Sequence, residues 1–249
     1  METLEFKTDG PVAWVWLNQP QRLNAIRQQT LDELGQTFGV LDRDPSVRAI
    51  VLAARGPAFS AGFDVSWMIG LTPDRAAGGL DGVRKLYAEI EACSKPVIAA
   101  IDGAALGGGL LLALVSDFRL ASERASFGAP EVKIGIFPSL DLIPRLERMV
   151  GLAAAKRIVI LGESIDASEA HRIGLADRIV PSAQLEREAQ SLAGRLAALP
   201  PVAVEMCKAA FAAARQPGYE AWEKEQFAAC WAVPEREQAM RAFLRRRPS

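Results

Sequence analysis

Three consecutive glycines, Gly107–Gly109, stand inside the stretch GAALGGGLLLAL (Gly103–Leu114), between a strand-like apolar run and a helix-like one. Few other segments restrict a chain so strongly. Glycine serves where the backbone must adopt unusual dihedrals or let another group come close. The spacing predicts a helix that begins at or just after Gly109. Amides at a helix N-terminus lack intrahelical acceptors and lie at the positive end of the helix dipole, so they attract negative charge. The residues alone permit two readings: tight turns with packing glycines, or a loop that presents backbone N–H groups to a developing anion. A dinucleotide-binding loop is excluded, because the spacing is not G-x-G-x-x-G with its first glycine at the strand-to-helix turn. A second glycine loop, AFSAGFDV (Ala58–Val65), follows the strand-like AIVLAA in the same manner.

Around these loops, strand and helix signals alternate. Val12–Leu17 and Val47–Ala54 are β-branched, aromatic or apolar runs that end in turn residues, and KPVIAAIDG holds a third strand. Between them, residues 27–44 place Leu31, Leu34, Phe38 and Leu41 at helical spacing, and residues 80–93 form another amphipathic helix. Residues 108–122 run from helix to strand, and residues 153–181 read as helix, turn, helix and strand. This alternation predicts an α/β fold with mainly parallel pairing. After Pro200–Pro201 strand signals cease and three helical stretches follow, which sets residues 1–199 apart as a core domain and residues 200–249 as a helical region. The latter carries Trp222, Phe227, Trp231 and Phe243, more aromatic surface than a free appendage leaves in water, so it is expected to pack on a neighbour.

With 24% charged residues and a formal net charge of −1, the chain offers no electrostatic case for a nucleic acid or membrane partner. No apolar run is long enough for a bilayer span, and the N-terminus lacks a secretory pattern. Three scattered cysteines predict reduced thiols and a cytoplasmic protein. His171 is the only histidine, so serine- or cysteine-histidine chemistry would have to be built around it; in a helix before IGLADRIV it is read as a packing or surface residue. No metal site is expected.

Several segments, taken in order, resemble the enoyl-CoA hydratase/isomerase (crotonase) superfamily: NQPQRLNAI, GPAFSAGFDV, KPVIAAIDGAALGGGLLLALVSDFRLAS, ASFGAPEVKIGIFP, SEAHRIGLADRIVP and AMRAFLRRRP. The resemblance spans nearly the whole chain. It implies a crotonase spiral of ββα units, a C-terminal trimerisation region, a homotrimer or dimer of trimers, and an acyl-CoA substrate whose coenzyme A is the only cofactor-like group. It further implies that two backbone amides, by position those of Ala61 and Gly108, bind the thioester oxygen, with Gly107 permitting close approach. Such preorganised donors are worth about 3–4 kcal/mol each. Glu131 falls on the family's F-G-x-P-E glutamate.

Two departures refine the expected chemistry. Hydratases of the family carry a second glutamate three residues after the oxyanion glycine, where this chain has Leu111. Leucine neither activates water nor delivers a proton. A single carboxylate still suffices to move a proton from C2 to C4 of a 3-enoyl-CoA, as Δ3,Δ2-enoyl-CoA isomerases do. The glycine-rich segment after the catalytic glutamate is replaced by GIFPSLDLIPRL, which places Ser139, Leu140, Asp141 and Leu142 there; Asp141 is read as a second acid/base, a partner for a polar substrate group, or a solvated carboxylate. The resemblance also puts Gln21, Arg22 and Leu23 against the pantetheine and nucleotide, with Arg22 suited to a phosphate. Ala61, Gly62, Phe63 and Asp64 border the adenine pocket by the same resemblance, and Phe243 and Arg246 reach a neighbouring subunit's site. The expected activity is therefore double-bond isomerisation, with enoyl-CoA hydration as the alternative and a non-catalytic acyl-CoA-binding homologue as a third reading.

Overall fold

A computed structural model describes residues 1–214, 218–232 and Met240. In chain order the elements are β1 (Leu4–Asp9), β2 (Val12–Leu17), α1 (Gln28–Arg43), β3 (Ala49–Ala54), α2 (Val65–Met68), α3 (Pro73–Ala92), β4 (Val97–Ile101) and β5 (Ala104–Leu106). They continue with α4 (Gly108–Val115), β6 (Phe118–Ser122), β7 (Ser126–Gly128), α5 (Leu142–Ile160), β8 (Ser164–Asp166), α6 (Ala167–Arg172), β9 (Arg178–Val180), α7 (Leu185–Ala197), α8 (Pro201–Ala213) and α9 (Tyr219–Ala232). Short 3₁₀ turns occupy Pro20–Arg22, Pro130–Ile134 and Ser182–Gln184.

The expected mainly parallel sheet is present. Its order is β1-β2-β3-β4-β6-β9, and every pairing except β1 with β2 is parallel. All six residues of β2 are buried, as in a strand covered on both faces. Its alternation divides them: Ala13, Val15 and Leu17 enter the large core shared with α1, α3, α4 and α5, whereas Val12, Trp14 and Trp16 lie under α7 beside Leu185, Ala189 and Ala193. The apolar stripe expected on α1 is also buried, through Leu31, Leu34, Phe38 and Leu41.

Four strands lack a legible pattern in the sequence. β1 buries only Leu4, so its periodicity is faint. β5, β7 and β8, three residues each, form a second sheet in the order β5-β7-β8. This small sheet matters, because β5 runs directly into the glycine triplet and is continued at Ala105 by a bridge to Ser60 of the other glycine loop.

α4 is buried at all eight positions, which explains its lack of a polar face. By contrast α8 buries none of its residues, and Phe211 and Phe227 are 75% and 65% exposed. α8 is tied to the core where Lys208 Nζ donates to Asp117 Oδ2 at 2.6 Å and to Lys95 O at 3.0 Å. Among the described residues no single helix is long and apolar enough to cross a membrane.

Candidate active site

Both glycine loops are held by hydrogen bonds distant in sequence. Asn24 sits in the left-handed region at φ 54°. Its Nδ2 donates to Arg55 O and Ala58 O at 2.9 and 2.8 Å, and its Oδ1 accepts from Gln19 N–H at 2.7 Å. Ser60, fully buried, donates through Oγ to Asn24 O at 2.8 Å and accepts from Gly62 N–H at 3.2 Å. Next along the loop, Ile26 N–H donates to Gly62 O and Asp64 N–H to Ile26 O, which makes a parallel bridge centred on Phe63. In a parallel pairing the central residue turns its own N–H away from that partner. Among the described residues, Phe63 N–H has no acceptor.

The glycine triplet approaches this loop from the other side. Gly107 adopts φ 49° and ψ −115°, a conformation that L side chains rarely enter, and its N–H donates to Gly128 O at 2.9 Å. α4 begins at Gly108, slightly earlier than expected, and Gly108 N–H also lacks an acceptor among the described residues. The two loops touch through backbone. A Cβ on Gly62 would lie 2.8 Å from Leu106 O and 3.4 Å from Gly108 N. One on Gly107 would lie 2.6 Å from Glu131 Oε1. The glycines are therefore required for close approach, of backbone to backbone and of a carboxylate to backbone.

A cavity of about 400 Å³ opens over these atoms. Phe63, Gly107, Gly108 and Glu131 line it, and Leu111, Ile136, Phe137, Leu140 and Leu142 give it apolar walls. Among the described residues Glu131 is its one lining carboxylate. Glu131 lies in the 3₁₀ turn after Pro130, with Oε2 buried and without a hydrogen-bond partner among the described residues. Burial pushes its carboxyl above the usual carboxylate range. Leu111 is 1% exposed and forms part of the apolar wall. Two N–H groups without acceptors beside one desolvated carboxylate can hold an oxyanion and move a proton. A larger cavity, about 790 Å³, lies between α8 and the ends of α4 and β6 and contains none of these groups.

A sequence profile described as enoyl-CoA hydratase/isomerase matches residues 7–249. The chain belongs to the enoyl-CoA hydratase/isomerase family. The short-chain-enoyl-CoA hydratase of Clostridium acetobutylicum is 37% identical over 244 residues, covering 96% of this chain and 93% of that protein. The crotonyl-CoA hydratase of Syntrophomonas wolfei is 35% identical over 252 residues, covering 99% and 96%. Among solved structures, an enoyl-CoA hydratase from Bacillus anthracis superposes with a TM-score of 0.93 at 29% identity, covering 98% of this chain and 97% of that one. Another from Geobacillus kaustophilus superposes at 0.92 with 35% identity, covering 99% and 96%. The crotonase fold and an enzyme of this superfamily follow.

Against the family pattern, the structure corrects the choice of the Ala61 amide and the placing of Asp141 at the substrate, leaving the solvated carboxylate of its three readings. Ala61 lines the cavity, but its N–H donates to Leu23 O at 2.9 Å, so it cannot also serve an oxyanion; the loop's unengaged amide is that of Phe63. Asp141 does not line the cavity. It sits at φ 62° before α5, exposed, with Arg84 Nε 3.4 Å from Oδ2, whereas Ser139 does line the cavity. Asp64 is engaged within the protein. It accepts from Ser66 N–H at 2.9 Å and from Ser66 Oγ and Arg27 Nε at 2.5 Å each, with Arg22 3.7 Å away. The serine and arginine contacts outweigh desolvation and hold its carboxyl down at about 2. Gln21, Arg22 and Leu23 are exposed on the turn before Asn24 and do not line the cavity. Phe243 and Arg246 lie outside the described residues. His171 is exposed, with Nδ1 2.9 Å from Ala176 O, the surface alternative of its expected packing or surface role.

The sequence assigns no role to Asn24 or Ser60, although both brace the loops. Both lie in segments that carry the resemblance, Asn24 in NQPQRLNAI and Ser60 in GPAFSAGFDV.

Proposed function

We propose that the protein isomerises 3-enoyl-CoA to 2-enoyl-CoA through a thioester enolate, with Glu131 as its single base. The observation that carries this is that Glu131 is the one carboxylate lining the cavity among the described residues, while Leu111 and the exposed Asp141 provide no second one. In this reading the thioester oxygen lies against Phe63 N–H and Gly108 N–H. Glu131 takes a proton from C2, and the electron pair of that bond spreads through C3=C4 and the carbonyl, with charge on the oxygen. The same carboxyl returns the proton to C4. One C–H bond breaks, one forms, and the double bond moves to C2=C3. Desolvation supports such a role, since a carboxylate that holds its proton more firmly is a better carbon base. Arg22, oriented by Asp64, is suited to a phosphate of the coenzyme.

Hydration of a 2-enoyl-CoA is the second reading, favoured by the hydratase names of relatives 37% and 35% identical. The unmodified enzyme separates the two. With 3-enoyl-CoA it is expected to give 2-enoyl-CoA, and with 2-enoyl-CoA in H₂¹⁸O it is expected to give little labelled 3-hydroxyacyl product by mass analysis. Rapid incorporation of label would overturn the isomerase reading in favour of hydration.

We further propose that residues 200–249 mediate assembly into a trimer or dimer of trimers. Exposed Phe211 and Phe227 support this. Light scattering at micromolar concentration is expected to give at least three times the chain mass of 26.8 kDa, and a monomeric value would contradict it.

A further inference from the structure

Tyr87 of α3 heads the largest fully buried side chains. Its hydroxyl donates to Gly108 O at 3.1 Å, across a sequence separation of 21 residues. Burial raises the phenol's pKa, so it keeps its proton and remains a donor. Phenylalanine would fill nearly the same space without a hydroxyl to desolvate, and a buried hydroxyl costs stability unless it is paired. Its partner here is the carbonyl of Gly108, which lines the cavity and whose N–H has no acceptor among the described residues.

That residue needs outside support. The N-cap of α4 is Gly107, which makes no side-chain cap, and three glycines in sequence carry the largest backbone entropy. Oxyanion donors act through preorganisation, since a donor that must reorient during the reaction loses much of its effect. The peptide unit bearing Gly108 O and the one bearing Gly108 N–H share the Gly108 α-carbon, so fixing one restrains the other. Ser60 braces the opposite loop with its own buried hydroxyl.

We propose that Tyr87 is a positioning residue, whose hydroxyl bond to Gly108 O holds the first turn of α4 so that Gly108 N–H points at the thioester oxygen. This rests on the oxyanion reading of the two amides and is indifferent to whether isomerisation or hydration follows. The test is therefore α-proton exchange of a saturated acyl-CoA, butyryl-CoA, in D₂O, which needs only enolate formation. Wild-type protein is expected to exchange. Tyr87→Phe is expected to lower the saturated exchange rate about tenfold, with less than a twofold change in half-saturating concentration and little change in Tm. Ile90→Val, a packing defect one turn along the same helix, is expected to lower Tm and leave exchange unchanged.

Normal exchange in Tyr87→Phe would overturn the proposal. So would an unfolded Tyr87→Phe, or a loss of exchange that tracks Tm equally in both variants, because packing would then account for the residue. Absence of exchange in the wild type would instead remove the oxyanion reading itself, and the proposal with it.

Discussion

Glu131→Gln is expected to retain the fold and acyl-CoA binding while lowering turnover by about 10²–10⁴-fold, the usual range for removing a general base. Glutamine preserves the shape and removes only the capacity to take a proton. The wild-type carboxyl is pushed up by burial, and the base is its ionised form, so turnover should rise with pH through a value above the usual carboxylate range. This acid limb should vanish in the variant. The sign for stability is opposite. A carboxyl with a raised pKa favours the folded state at low pH, and that contribution is lost as pH rises through its folded value. Removing the charge should therefore leave Tm at pH 8 unchanged or higher. Steady-state kinetics across pH, with thermal unfolding alongside, would check all three expectations, and unchanged turnover would remove Glu131 from the mechanism.

Gly107→Ala is expected to lower turnover by about 10²-fold or more and to lower Tm as well. Two effects combine. The φ of 49° with ψ −115° is a glycine conformation, and a side chain held in such a region costs about 1–3 kcal/mol. The new Cβ would also sit 2.6 Å from Glu131 Oε1, far inside contact distance, so either the carboxylate or the glycine loop must shift. A misplacement of about 1 Å at reacting groups costs on the order of 10²-fold in rate. Gly79→Ala is the matched control. Gly79 lies in α3 with nothing within 4 Å of the added carbon, and alanine in a helix gains about 0.5–1 kcal/mol. Turnover and Tm of both variants, measured side by side, distinguish a constrained triplet from a tolerant one; wild-type rates in Gly107→Ala would show that the close approach is unimportant.

Local patterning carried much of this protein. Continuous β-branched or apolar runs bounded by turn residues identified β2, β3 and β4, which are buried on both faces, and a 3.6-residue period identified α1, which buries one; in both cases the pattern of burial is written residue by residue. The order of motifs identified the family, and the same motifs singled out Glu131 and Leu111, which the structure brings to one cavity. Other features depended on partners far along the chain. Whether Ala61 or Phe63 offers its N–H is decided by Leu23 and Ile26, whose carbonyls take the N–H groups of Ala61 and Asp64; no property of the loop AFSAGFDV encodes that choice. The αL turn at Leu140 and Asp141 directs Asp141 toward Arg84 of α3 and away from the cavity, again a contact between distant segments. β5, β7 and β8 are too short to carry a period, and exist only because each finds a neighbour. Tyr87 looks like any core aromatic on an amphipathic helix until α4 is laid against it. Burial is a property of single residues and can be read along a sequence, whereas a hydrogen bond needs two residues at a set distance, and only the tertiary structure supplies the second.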